Sequence, residues 1–142
     1  MSVPQIVIDT NVLVAALRSR RGAAFKLLML IDSGKFEVNI SVPLVLEYED
    51  AAKRLVGKIA LTARDIDAII DYICAVAHRR TIFYLWRPFL KDPKDDMVLE
   101  LAVTASCDYI VTYNKGDFAG AEQFGLQVVT AKEFLQNIGE LS

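Results

Sequence analysis

The sequence predicts an α/β fold: a central parallel sheet of about five strands flanked by helices in three layers, as a single domain over residues 1–142. Two observations predict it. Short apolar, β-branched runs alternate with stretches of helical periodicity along the chain, and such alternation builds a parallel sheet covered on both faces. The polar breaks between runs are short, and right-handed crossovers then leave few topologies.

The stretch 5–14, QIVIDTNVLV, sets the frame. Ile6-Val7-Ile8 reads as a short buried strand that stops at Asp9, Thr10 and Asn11. Asp9 therefore stands at the carboxyl end of a strand, where open α/β sheets bind ligands. Its plainer role is to cap the next helix. That helix runs over 11–18, with Val12, Leu13, Ala16 and Leu17 on one face, and is broken by Ser19-Arg20-Arg21-Gly22. A second helix over 23–32 closes before Gly34. A strand over 36–40 follows. Ser41 caps a helix over 43–55, with Pro43 in its first turn.

Gly57-Lys58 marks a loop, and Thr62 opens a helix over 63–78 with Asp65 in its first turn. His78 ends that helix in His-Arg-Arg, where cations suit the dipole. The apolar, aromatic run 80–86 reads as a third strand, which assigns Tyr84 and Trp86 to the core. A loop with two prolines spans 87–94, and a helix over 95–106 carries the stripe Met97, Val98, Leu101, Ala102 and Ala105. A fourth strand over 108–112, a polar connection over 113–125 and a fifth strand over 127–129 precede a last helix, 131–138, capped by Thr130.

The composition, 54% hydrophobic and 24% charged, is that of a globular chain. Sixteen basic against eighteen acidic residues leave a net charge of −2. This excludes a whole-molecule basic field, so contact with nucleic acid must use a local basic patch or metal ions. Cys74 and Cys107 lack metal or redox spacing, which implies a reduced, cytoplasmic setting. With His78 the single histidine, Ser-His-Asp and Cys-His chemistry is disfavoured. No apolar run reaches the ~18 residues of a membrane span, and the amino terminus lacks the pattern of a signal peptide.

Four acids stand out. Glu49 and Asp50 have Lys53 and Arg54 four residues on, but Glu47 has Ala51 there and shares a stripe with Leu44, Tyr48 and Leu55. It is an acid without a local basic partner beside an apolar face. In KDPKDDMVLELA, the helix dipole accounts for one of Asp92, Asp95 and Asp96. Asp96 directly precedes the stripe and is expected to face the sheet edge, with Asp95 facing solvent or capping. After the fourth strand, Asn114 and Asp117 offer oxygen ligands in what could equally be a polar turn. Asp9, Glu47, Asp96 and Asp117 thus reach one sheet edge from four segments. Two unit charges about 4 Å apart repel by about 4 kcal/mol at an effective dielectric of 20. Mg²⁺ or Mn²⁺, hard ions with oxygen ligands, would resolve that conflict and could activate water against a phosphodiester.

Four motifs carry a resemblance: IVIDTNVLVAAL, SVPLVLEYED, DPKDDMVLELAVTASCDYIVTYNKGDF and VVTAKEFL. In order and spacing the chain resembles the PIN domain and, within it, the VapC-like toxin ribonucleases of toxin–antitoxin systems. The resemblance implies a Mg²⁺- or Mn²⁺-dependent endoribonuclease acting on single-stranded RNA, with metal-binding and catalytic acids at Asp9, Glu47, Asp96 and Asp117. It also implies a homodimer or higher homo-oligomer and an antitoxin partner. Many members carry Asp where this chain has Asn114, so either Asp117 supplies the fourth ligand or Asn114 orients a water. Thr10, Asn11, Thr112 and Asn114 would hold the acids and waters in place. Lys94, Lys115 and Arg87 are the cations expected near flanking phosphates.

Two other classes share parts of this pattern. One is a PIN-like interaction domain that has lost its chemistry. The other is a receiver-type phosphoacceptor domain, which would want an acid pair after the first strand and a Lys after the fifth; the chain has Asp9-Thr10 and Val129-Thr130 there. A haloacid-type phosphatase would want Asp at position 11, which is Asn.

Overall fold

Ile6, Val7 and Ile8 are apolar toward both faces, and the fold places them at the centre of the sheet, almost wholly buried. The computed structural model describes residues 3–82 and 89–142. The strands are β1 (Gln5–Ile8), β2 (Glu37–Ile40), β3 (His78–Arg79), β4 (Tyr109–Val111) and β5 (Gln127–Val129). The helices are α1 (Thr10–Arg18), α2 (Ala23–Met29), α3 (Val42–Lys53), α4 (Ala63–Val76), α5 (Pro93–Thr104) and α6 (Ala131–Asn137). Two short 3₁₀ turns, Lys115–Phe118 and Ala121–Phe124, fill the connection from β4 to β5.

All five strands are parallel, in the order β3-β2-β1-β4-β5. Ile6 lies opposite Val38 on one side and Tyr109 on the other, and Ile8 lies opposite Val111. The chain steps outward from β1 to β3, then crosses back to β4 beyond β1. Right-handed crossovers put the two sets of connecting helices on opposite faces. The order reverses between β1 and β4, and the crevice at such a switch point is where these sheets take ligands.

The caps follow the sequence. Ser41, Thr62 and Thr130 accept from backbone N–H groups of the first turns of α3, α4 and α6, and the last two form reciprocal capping boxes with Asp65 and Glu133. Phe134 of α6 meets Phe36 and Tyr109 edge-on, at 5.3 and 5.1 Å between ring centroids.

The third strand differs from the expectation. β3 is His78–Arg79 and α4 stops at Val76; residues 80–82 of the expected strand 80–86 are not strand, and 83–86 lie outside the described residues. Ala77 is already extended, and His78 and Arg79 pair with Asn39 and Ile40 of β2. The main-chain groups of β2 thus gain partners at the expense of the last helical turn. His78 therefore does not sit on a helix end: its imidazole meets the carboxylate of Glu37. Tyr84, Trp86 and Arg87 lie outside the described residues.

One buried bond ties the helical layer to the centre of the sheet. The Tyr48 hydroxyl of α3 donates to the Ile8 carbonyl, and burial pushes its proton affinity well above the ordinary tyrosine range. Tyr48→Phe leaves the Ile8 carbonyl without that donor and is expected to destabilise the fold by about 1–3 kcal/mol. Urea unfolding measures this as a lower midpoint at unchanged slope.

Candidate active site

The β1 strand delivers Asp9 to the switch point. The Asp9 backbone N–H still bonds the Val111 carbonyl of β4 at 2.9 Å, so its carboxyl group projects from the end of the sheet. Asp9 also caps α1, accepting from the Thr10 N–H at 2.8 Å. Its other oxygen accepts from the Thr112 hydroxyl at 2.9 Å and from the Asn11 amide at 3.4 Å. Thr112, fully buried just past β4, accepts in turn from the Asn114 N–H at 3.0 Å and the Asn11 amide at 3.2 Å. Asn11 accepts from the Tyr113 N–H at 3.2 Å. This web uses one donor and two acceptor directions of a single hydroxyl, and it locks the ends of β1 and β4 together.

A recess of about 370 Å³ opens above this web, lined by Asp9, Thr10, Asn11, Glu47, Asp95, Asn114 and Asp117 among others. Burial is the chief reason that the Asp9 carboxyl is held above the ordinary aspartate range; its hydrogen bonds to Thr112 and Thr10 oppose this, while Asp117 and Glu47 add to it. Asp95 is pushed up to about 6, first by burial and then by Asp9, Asp117, Asp92 and Asp96. These acids therefore feel one another across the recess. They line it rather than converge: among the described residues, no three acid, histidine or cysteine side chains already stand where they could hold an ion. The donor set itself suits a hard divalent cation, being carboxylate and amide oxygens from four elements in a strongly anionic pocket.

The structure places two neighbours differently from the expectation. Asp95, assigned to solvent or a cap, lines the recess. Asp96 instead accepts from the N–H groups of Phe89 and Leu90, at 3.2 and 2.9 Å, and is not among the lining residues of the recess. The reason is the burial of α5. Val98, Leu99, Glu100, Leu101 and Ala102 are all buried, so the helix has no single apolar stripe from which its first turn could be phased. Asp92, which caps α5 through the Lys94 N–H at 2.9 Å, also lines the recess.

Among the expected cations, Lys94 lines the recess and reaches Glu47 at 3.4 Å. Glu47 thus has a basic partner, brought from α5 rather than from its own helix. Lys115 turns away and pairs with Glu133 of α6 at 2.9 Å.

Comparison with known families adds one finding. A family model for the PIN domain matches residues 5–116. The chain belongs to the PIN domain family. PIN domains are generally metal-dependent nucleases that use divalent ions. No characterised protein matches the chain. The matched segment holds every side chain of the acid recess except Asp117, which follows its last residue. Among the described residues, no helix of this PIN domain is long and apolar enough to cross a membrane.

Asp95 and Asp96 give opposite stability signatures in the metal-free protein. The folded Asp95 keeps its proton to about pH 6, whereas the unfolded chain releases it near 3.8. The native state thus binds more protons between those values, and stability falls as pH rises through that window. Asp95→Asn is expected to raise the melting midpoint relative to wild type above about pH 6, with the difference closing toward pH 4. Asp96→Ala, which removes the acceptor for Phe89 and Leu90, is expected to lower stability by about 1 kcal/mol at neutral pH. Thermal melts of the two variants across pH 4–8 check both signs.

Proposed function

We propose that this PIN domain is a Mg²⁺- or Mn²⁺-dependent endoribonuclease for single-stranded RNA, the VapC-like toxin of a toxin–antitoxin pair, acting as a homodimer or higher homo-oligomer. The observation that carries the nuclease reading is the common recess of Asp9, Glu47, Asp95 and Asp117, with the carboxyls of Asp9 and Asp95 both raised. The toxin and antitoxin assignments rest on the motif resemblance.

In this reading Asp9, Glu47, Asp95 and Asp117 hold the ion, with Asp95 in the place first given to Asp96. A bound divalent ion supplies activation of water and neutralisation of charge on the phosphate and leaving oxygen. The chain's residues supply orientation. Thr112, Asn11 and the Thr10 N–H fix the Asp9 oxygens, and the Asn114 amide lines the recess beside Asp117. The Lys94 ammonium, now against Glu47, lies within the same recess and, among the described residues that line it, is the cation available to a phosphate. A catalytically silent PIN fold is the second reading. The Lys94–Glu47 pair favours it, because a resident ammonium already offsets one of the acids.

Two measurements separate these readings. Mn²⁺ is expected to raise the melting midpoint of wild type in a concentration-dependent way, by about 2.7 kcal/mol of stability at a hundred times its dissociation constant. Asp9→Asn is expected to abolish that response; an equal response in both proteins refutes the site. Thr112→Val should weaken Mn²⁺ binding about 10- to 100-fold, and Thr112→Ser should restore it. Single-stranded RNA should be cut with Mg²⁺ or Mn²⁺ and spared with EDTA or in Glu47→Gln. A metal-stabilised protein that cuts no RNA supports the silent fold.

A further inference from the structure

The acid recess does not end at Asp95 and Asp117. A second recess, of about 340 Å³, adjoins it and shares Asp92, Asp95 and Asp117 as a common wall. Its far side is formed by Phe89, Leu90 and Lys91 on one flank and by Gly116 and Ala119 on the other. An extended chain that lays a phosphate over the shared acids would therefore place its neighbouring residue in this second space.

The chemistry of that space suits a nucleotide. Phe89 is 43% exposed although it is a large apolar side chain. Its ring meets Phe124 edge-on at 5.4 Å between centroids, so it is propped in place without being covered. Gly120 passes close beneath it: a Cβ there would stand 3.1 Å from the Phe89 ring, and the glycine itself adopts a φ of +95°. The backbone of Phe89 and Leu90 is anchored by the Asp96 carboxylate. Thus Asp96, Phe124 and Gly120 together fix an exposed aromatic ring at the mouth of the groove. Lys91 adds a cation, and no carboxylate of the described residues forms an ion pair with it.

We propose that this second recess is a nucleobase subsite, in which a base flanking the scissile phosphate stacks on Phe89 and an adjacent phosphate meets Lys91. The proposal rests on the nuclease reading and assigns the side of the metal centre on which the substrate is gripped. Stacking on an aromatic ring is tolerant of base identity, because every base presents a π face. The subsite therefore gives affinity and register more than sequence choice.

The test is a cycle between protein and substrate. A single-stranded RNA whose cut position has been mapped is compared with versions abasic on one side or the other of that position. Cleavage is followed with Mn²⁺, and binding by fluorescence anisotropy with Ca²⁺. In wild type, one abasic substitution is expected to weaken binding and kcat/KM about 5- to 100-fold. In Phe89→Ala and in Phe89→Leu, which keeps apolar packing on Phe124, intact RNA should already show that loss and the abasic change should cost little more. Phe89→Tyr should retain the dependence on the base. Lys91→Gln should flatten the salt dependence of binding by about 0.7 in the log–log slope. Equal abasic penalties in wild type and Phe89→Leu, or an unchanged slope in Lys91→Gln, overturn the subsite while leaving the nuclease reading intact. Absence of metal-dependent cleavage in wild type overturns the nuclease reading and the subsite with it.

Discussion

The structure depends on keeping a carboxylate at the end of its central strand. Asp9 follows three core residues and lies 9% exposed, so its environment is that of the core rather than of the surface. A charge there needs compensation. Among the described residues, the hydrogen-bond donors to its side chain are neutral: a backbone N–H, a hydroxyl and an amide. Neutral donors orient the oxygens without cancelling the charge, which leaves the site anionic and receptive to a divalent ion. The hydroxyl comes from the residue just past β4, the strand beside β1, so the parallel pairing of β1 and β4 is what completes the site.

The fold and the chemistry therefore share one set of bonds. The contact of Asp9 with Val111 belongs to the sheet ladder, and the contacts of its side chain belong to the site. Tyr48 extends the same coupling to the helical layer, fixing the carbonyl of the residue just before Asp9. With a net charge of only −2 over the whole chain, the electrostatic character of the recess comes from where the acids are placed, not from how many there are.

How much of this could be read from the chain varied with the kind of evidence each residue carried. β1, β2, β4 and β5 were legible because an apolar run with a polar stop has few other meanings. β3 was not, because two exposed polar residues, His78 and Arg79, became a strand only by pairing with β2, and no local pattern encodes that. Asp9 and Asp117 are placed at the edge of the sheet by strand ends, and Glu47 by its position beside the apolar stripe of its helix; the structure has all three lining one recess. Asp95 and Asp96 were exchanged because α5 is buried around most of its circumference. The partner of Glu47 was invisible because Lys94 is distant in sequence and meets it only after the sheet has formed. The wall around Phe89 carried no motif, since its meaning comes from Phe124 and Gly120 on a different loop.

The Lys94–Glu47 contact has a consequence for folding. A pocket built only of carboxylates would oppose its own closure in a newly made chain until an ion arrived. Here a tethered ammonium offsets one acid, and neutral donors steady another. The tethered ammonium thus eases the repulsion that closing the recess must overcome by a modest amount, and on the proposed nuclease reading an entering divalent ion would take the place of that lysine beside Glu47.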